Sequence, residues 1–248
     1  MTTALIDGDI ILWRTATSIK DVKDSYQLYQ RINTLIYKIQ HTLQTDDIRI
    51  YITGKEKPNY RNLINPLYKD NRKNVIKPSW FNDCKDYLLN AYEAIEIQGY
   101  EADDALGWNQ KENTVICTID KDLNMIPGNH YNFITNTFFV ITELEALQFF
   151  YKQMLIGDIV DNIQGIDLIG PKKADKLILP LQTEQEMFDV VYNKYNNPKR
   201  FLMNAQCLWI QQERNKSWVN RQSLNFPALF KQEVDQMLEF MISLNQDI

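Results

Sequence analysis

The chain has 248 residues, 44% hydrophobic, 24% charged and 12% aromatic, a composition that fits one large folded domain or two small ones and excludes disorder and a collagen repeat. At this size about 70% of the unfolded surface can be buried without disulfides or structural zinc, and Cys84, Cys117 and Cys207, dispersed and in no CxxC pair, favour free thiols in a reducing cytoplasm. With 27 Lys and Arg against 32 Asp and Glu the net charge is −5, which weighs against coating nucleic acid by bulk charge.

Residues 3 to 7 form an apolar run ending in Asp7, the pattern of a buried parallel strand with a functional acid at its tip. Asp7 and Asp9 also interrupt the N-terminus before a signal-peptide core can form, and no apolar run approaches the roughly 18 residues of a membrane span. Helical spacing of Leu28, Ile32, Leu35, Ile36 and Ile39 predicts a helix over 26–43. Strands are expected at 48–53, 94–98 and 114–119, and a hairpin over 131–141 turning at Thr135-Asn136. Strand alternating with helix implies an α/β fold with a mostly parallel sheet. From Thr142 the pattern turns helical. Thr142 with Glu145, and Thr183 with Glu186, form capping boxes; Pro198 suits a first helical turn; and 230–244 carries apolar positions at helical spacing. The expected division is an α/β part over 1–141 and a helical region over 142–248.

The acids Asp7, Glu101, Asp103, Asp104, Asp120 and Asp122 each lie at or just after an apolar run. In a parallel sheet those strand ends share one edge, where ligands bind. Asp158 and Asp161 join them, expected at i and i+3 on one helix face. Taken singly, each Asp is more simply a helix cap or a turn residue. Several carboxylates a few Å apart need a cation to stay ionised. Hard oxygen ligands, with only His41 and His130 as imidazoles, select Mg²⁺ or Mn²⁺, and open metal positions suit phosphoryl transfer.

Residues 55–77 hold seven cations against two acids, a net +5, whereas 101–122 hold six acids against two cations, a net −4. A cationic segment beside an anionic pocket suits a polyanion approaching a metal, with Lys69 and Arg72 on one side of a helical turn and Tyr60, Tyr68 or Trp80 offering faces for base stacking. Gly165 and Gly170 flank a turn, and Gly170-Pro171-Lys172-Lys173 opens a helix whose N–H groups and lysines can hold a duplex phosphate.

In chain order, Leu5-Ile6-Asp7-Gly8-Asp9, Tyr68 to Arg72, Tyr100 to Ala105, Thr118 to Leu123, and Gly157 to Ile163 continuing through Gly165 to Gly170-Pro171-Lys172-Lys173-Ala174 resemble the 5′-nuclease (flap endonuclease) family. The resemblance covers residues 5–178 and is closest to phage 5′→3′ exonucleases and the 5′-nuclease domain of bacterial DNA polymerase I. It implies a PIN-like α/β fold, an arch at about 55–80, a helix-three-turn-helix clamp at about 155–180, and two divalent metals that serve cleavage of DNA near 5′ ends, flaps or junctions. By the same resemblance Asp7, Glu101, Asp103 and Asp120, with Asp104 beside them, surround a first metal, and Asp122, Asp158 and Asp161 a second. Lys69 and Arg72 contact the scissile phosphate, Tyr68 supports a displaced base, and Gly165, Gly170, Lys172 and Lys173 clamp the duplex, where a potassium ion is often held. A monomer in the cytoplasm, of the host if phage-encoded, is the accompanying expectation.

Two positions depart from the family pattern. Thr53 stands where an acid usually follows the second strand, and Leu168 replaces the first clamp glycine. Two other readings fit parts of the chain: a haloacid-dehalogenase-type phosphatase, from Asp7-Gly8-Asp9 and Gly157-Asp158, and a DNA-junction binder with a decayed site, from Thr53.

Overall fold

The computed structural model describes residues 2–18, 24–221 and 223–247. Strands β1 (Thr3–Asp7), β2 (Ile48–Thr53), β3 (Ile95–Ile97), β4 (Thr114–Cys117), β5 (Gly128–Asn132) and β6 (Thr137–Ile141) form one sheet in the order β3-β2-β1-β4-β5-β6. All neighbours run parallel except β5 and β6, which pair as a hairpin from Gly128 opposite Ile141 to Asn132 opposite Thr137. The hairpin starts three residues earlier than its apolar pattern suggests, because Gly128 and Asn129 extend the ladder without extending that pattern.

Burial on both faces explains the unbroken apolar strands. Ala4, Ile6, Ile50, Ile52, Val115 and Cys117 face one way, onto helices α1 (Gly8–Thr17), α2 (Tyr26–Leu43) and α4 (Phe81–Ala91). Leu5, Tyr51 and Ile116 face the other way, onto α5 (Ala102–Asn109) and α6 (Glu143–Ile156). Between β2 and α4 the chain makes only the five-residue helix α3 (Tyr60–Ile64) and a 3₁₀ turn at Asp70–Arg72, so the segment expected as an arch is mostly loop.

Gly157, at φ +78, ends α6, and a small hairpin of β7 (Gly157–Asp158) and β8 (Ile163–Gln164) follows. Helices α7 (Pro171–Ile178), α8 (Glu184–Tyr192), α9 (Pro198–Leu208) and α10 (Ala228–Asp247) complete the chain. Phe188, Phe201, Trp218, Phe226 and Phe230 pack together among them, and this aromatic group is continuous with the buried side chains under the sheet. One core therefore joins both parts of the chain.

Candidate active site

The sheet order places the topological switch point between β1 and β4, whose crossovers leave in opposite directions, and a crevice opens there at the carboxyl ends of the strands. Asp7 ends β1, Thr53 ends β2, Glu101 precedes α5 and Asp120 follows β4. Each acid sits where a strand gives way to a helix or turn. Asp7 Oδ1 accepts from Ile10 N at 3.1 Å and caps α1, while Asp120 Oδ1 accepts from Asp122 N at 2.9 Å and caps the next turn. Capping and clustering are thus compatible: a cap uses one carboxylate oxygen and fixes where the side chain points.

Two chambers share Glu101 and Asp103. A cleft of about 680 Å³ has Asp7, Asp9, Glu101, Asp103 and Asp120 on its floor and Lys55, Lys69, Arg72, Lys77 and Lys85 among its walls. Beside it, a pocket of about 20 Å³ is lined by Glu101, Asp103, Asp122, Asp158 and Asp161 together with Gln153. That is room for a single water or ion.

Charge balance differs between these acids. Lys69 Nζ lies 2.5 Å from Glu101 Oε1 and 3.7 Å from Asp161 Oδ1, and Arg72 Nη2 lies 2.9 Å from Asp161 Oδ1. Burial opposes ionisation of Glu101, but Lys69 and Arg61 outweigh it and hold its pKa at about 2. Asp7, Asp9, Asp103 and Asp120 make no ion pair among the described residues. Burial and the neighbouring Asp9 push Asp7 up to about 7. Asp103 is raised well above its ordinary value by burial and by Asp7 and Asp120. Uncompensated hard oxygens fit a divalent cation of the Mg²⁺ type. Among the described residues, however, no three of these side chains already converge to coordinate one ion; they ring the chambers.

The structure corrects several expected roles. Asp104 is 0% exposed and bound to Arg61 through both oxygens, at 2.6 and 2.8 Å, while Oδ1 also accepts from Gln211 N and Oδ2 from Glu101 N. It has no oxygen left for a metal. The same pair removes Arg61, 1% exposed, from the surface cations counted in the basic segment. Tyr60 and Tyr68 are buried, so neither offers a face to a base; the Tyr68 hydroxyl lies 3.1 Å from Glu101 Oε2 and 3.0 Å from Asp161 Oδ2, bridging the two chambers. Asp158 and Asp161 are not on a helix. Gly157 turns the chain, and Asp158 Oδ1 accepts from Val160 N and Asp161 N in a tight turn.

Lys69 takes φ +56 and Arg72 ends the 3₁₀ turn, so both reach Asp161. Lys69 N donates to Asp161 O, and Arg72 Nε to Val160 O, which seats this segment across the β7–β8 turn. In the clamp, Gly165 is closely packed: a Cβ there would lie 2.2 Å from Ile156 C. Lys172 and Lys173 stand exposed in the first turn of α7, behind Gly170. Leu168, 94% exposed, holds φ +62, a left-handed conformation that favours glycine. Sequence reasoning missed Asp9 and Trp13. Asp9 was read as an interruption of the N-terminal apolar run and as part of the Asp7-Gly8-Asp9 motif but given no place among the site acids, yet it reaches the cleft; Trp13 lines the same cleft and meets Phe81 edge-on at 4.8 Å.

No family model matches the chain. A 5′-3′ exonuclease of Buchnera aphidicola subsp. Baizongia pistaciae is 26% identical over 237 residues, covering 83% of this chain and 74% of that protein. Flap endonuclease Xni of Shewanella sp. ANA-3 is 26% identical over 208 residues, covering 76% and 79%. The chain is thus similar to proteins named 5′-3′ exonuclease and flap endonuclease. Its fold is that of the bacteriophage T5 5′-exonuclease, solved with zinc ions, at TM-score 0.64 and 17% identity over 97% of this chain and all of that one. The T5 flap endonuclease, solved in a pseudo-enzyme-product complex with DNA and metal ions, superimposes at TM-score 0.61 and 16% identity over 99% of this chain and all of that one. Among the described residues no helix is long and apolar enough to cross a membrane.

Proposed function

We propose that this chain is a divalent-metal-dependent 5′→3′ exonuclease and structure-specific flap endonuclease that hydrolyses DNA phosphodiesters near 5′ ends, flaps and junctions. The observation that carries the reading is the pair of acid-lined chambers sharing Glu101 and Asp103, walled by cations. In it Asp7, Glu101, Asp103 and Asp120 hold one Mg²⁺ or Mn²⁺, and Asp122, Asp158 and Asp161 hold a second. When bound, the two ions supply an activated water and neutralise charge on the attacked phosphate and the leaving oxygen.

The chain's own residues do the rest. Lys69 and Arg72, held by Glu101 and Asp161 in this structure, exchange those carboxylates for phosphate oxygens as the 5′ strand enters. Lys55 and Lys77 contact the strand along the cleft wall, and Trp13 offers the base-facing ring that Tyr60 and Tyr68 cannot. Lys172 and Lys173, with the N-terminus of α7, hold a phosphate of the duplex away from the cut. Potassium is given no step here: the carbonyls of Gln164 and Gly165 accept from Arg200, that of Gln164 also from Asn204, and that of Ile166 from Ile169 N.

Action as a monomer in the cytoplasm is part of the same proposal, and the three buried free cysteines suit that reducing compartment. The α/β part over 1–141 supplies the first acid group and Asp122, and 142–248 supplies Asp158, Asp161 and the clamp. The phosphatase reading gives Asp7 a nucleophilic role but leaves Glu101, Asp103 and Asp120, gathered in the same cleft, without one. Incubating a 5′-labelled flap duplex and a small phosphomonoester with Mg²⁺ or with EDTA tests the proposal. Mg²⁺-dependent release of short 5′ fragments is expected; phosphomonoester hydrolysis alone, or binding without cleavage, overturns it.

A further inference from the structure

Thr53 stands at the tip of β2, beside the cleft, where the chain shows no acid. The Thr53 backbone N lies 3.2 and 3.3 Å from the two carboxylate oxygens of Asp9. The Thr53 hydroxyl accepts from Ala102 N at 2.9 Å, at the start of the helix that follows Glu101, which anchors the tip of β2 there. A carboxylate therefore does lie against the tip of β2. It is delivered from the neighbouring helix rather than from the strand.

From this we infer that Asp9 is a metal-holding acid of the larger chamber, with Thr53 as the residue that positions it; the inference rests on the proposed nuclease function. Asp9 is not needed as a helix cap, because Asp7 already satisfies Ile10 N at the start of α1. Nor does the Thr53 N–H require a charge, since a neutral Asn or Ser oxygen would accept it equally well. A carboxylate here is costly: it shares the cleft with Glu101 and makes no ion pair among the described residues. A charged group kept where a neutral one would serve the fold, and facing a cleft with three more unpaired acids, is explained by a cation that they share. Thr53 then acts through Asp9. Its N–H fixes the carboxylate's direction, as outer hydrogen bonds commonly do for metal ligands, while its hydroxyl holds the strand tip against Ala102.

An acid at position 53 and one at position 9 should be interchangeable, and Mn²⁺ binding by calorimetry on the full chain without DNA tests this. Asp9→Asn should weaken the tighter Mn²⁺ event by about 10-fold or more. Asp9→Asn combined with Thr53→Asp should recover it to within a few-fold, and Thr53→Asp alone should not tighten it, because the place is already filled. Circular dichroism confirms folding. If the Asn variant is unfolded, Asp9→Glu replaces it, and retained Mn²⁺ binding is then expected. Asp9→Asn within two-fold of the parent, a double variant no better than the single one, or loss of binding in a folded Asp9→Glu overturns the inference. A parent that binds Mn²⁺ and cuts flaps while Asp9→Asn is unchanged removes only the role of Asp9; a parent that does neither removes the nuclease function with it.

Discussion

At the scale of single residues, the acids fall into those already paired and those that carry unrelieved charge. Glu101, near 2 with Lys69 beside it, is ionised at any working pH, whereas Asp7, near 7, shares its field with Asp9 and Asp120. Asp7 and Asp103 are raised because burial and like charge favour the protonated form, so protons compete with a metal for the larger chamber. Metal affinity should accordingly rise with pH up to about 7 and level off above it. At limiting Mg²⁺ the cleavage rate should follow the same rise, and excess Mg²⁺ should move the rise to lower pH. A pH–rate profile at two Mg²⁺ concentrations checks this; curves that superimpose contradict it. The stability of the metal-free chain should move the opposite way. A carboxylate with a raised folded-state pKa binds its proton more tightly when folded, so stability is lost as pH climbs from the ordinary Asp value of 3.8 to about 7. Thermal melting with EDTA at pH 5 and pH 8 reads that loss, and Asp7→Asn should diminish it.

At the scale of elements, the two cationic segments differ in what they touch, and their variants should differ accordingly. The 69–72 turn is bonded to chamber acids, whereas Lys172 and Lys173 lie exposed on α7. Charge that helps only in the transition state changes the chemical step, and uniform binding changes affinity. Lys69→Ala should lower the single-turnover rate by on the order of 10²-fold at saturating enzyme. Lys172→Ala with Lys173→Ala should instead weaken duplex binding and flatten its salt dependence by roughly one log–log unit per phosphate contact. An unchanged saturated rate for Lys69→Ala would remove the 69–72 turn from the chemical step. In the clamp turn, Leu168 carries a left-handed strain that glycine lacks, so Leu168→Gly should stabilise the chain by on the order of 1 kcal/mol, read by denaturant unfolding. Elements with a local cause were legible in sequence: α2 from its period, α6 and α8 from their capping boxes, β2 from its unbroken apolar run. The arch was not. Long-range bonds that no local pattern announces hold its 3₁₀ turn to Ile159, Val160 and Asp161 and, through Arg61, its short helix to Asp104 and Cys207.

At the scale of the whole molecule, sequence order showed which strand tips bear acids, and the parallel sheet brings them together at its switch point. It could not show pairing across the fold. Arg61 and Asp104 are 43 residues apart, and their bidentate bond, with Arg61 also donating to the carbonyls of Cys207 and Trp209, ties the sheet to the end of α9. Asp104→Asn should therefore act on the fold, costing on the order of 3 kcal/mol by leaving Arg61 buried and uncompensated, and the chain should still melt in one transition because one core spans both parts. Loss of metal affinity without loss of stability would restore Asp104 to the site. Asp9 escaped notice for the related reason that its partner, Thr53, is 44 residues away. The central claim is that the two chambers form one metal-dependent phosphodiesterase centre, and Asp103, which lines both and has no cation partner, is its most direct probe. The deciding measurement is single-turnover cleavage of a 5′ flap with Mg²⁺ by the parent and by Asp103→Asn, alongside flap binding in EDTA. The account predicts a rate lowered on the order of 10²-fold or more with binding retained; cleavage within a few-fold of the parent would contradict it.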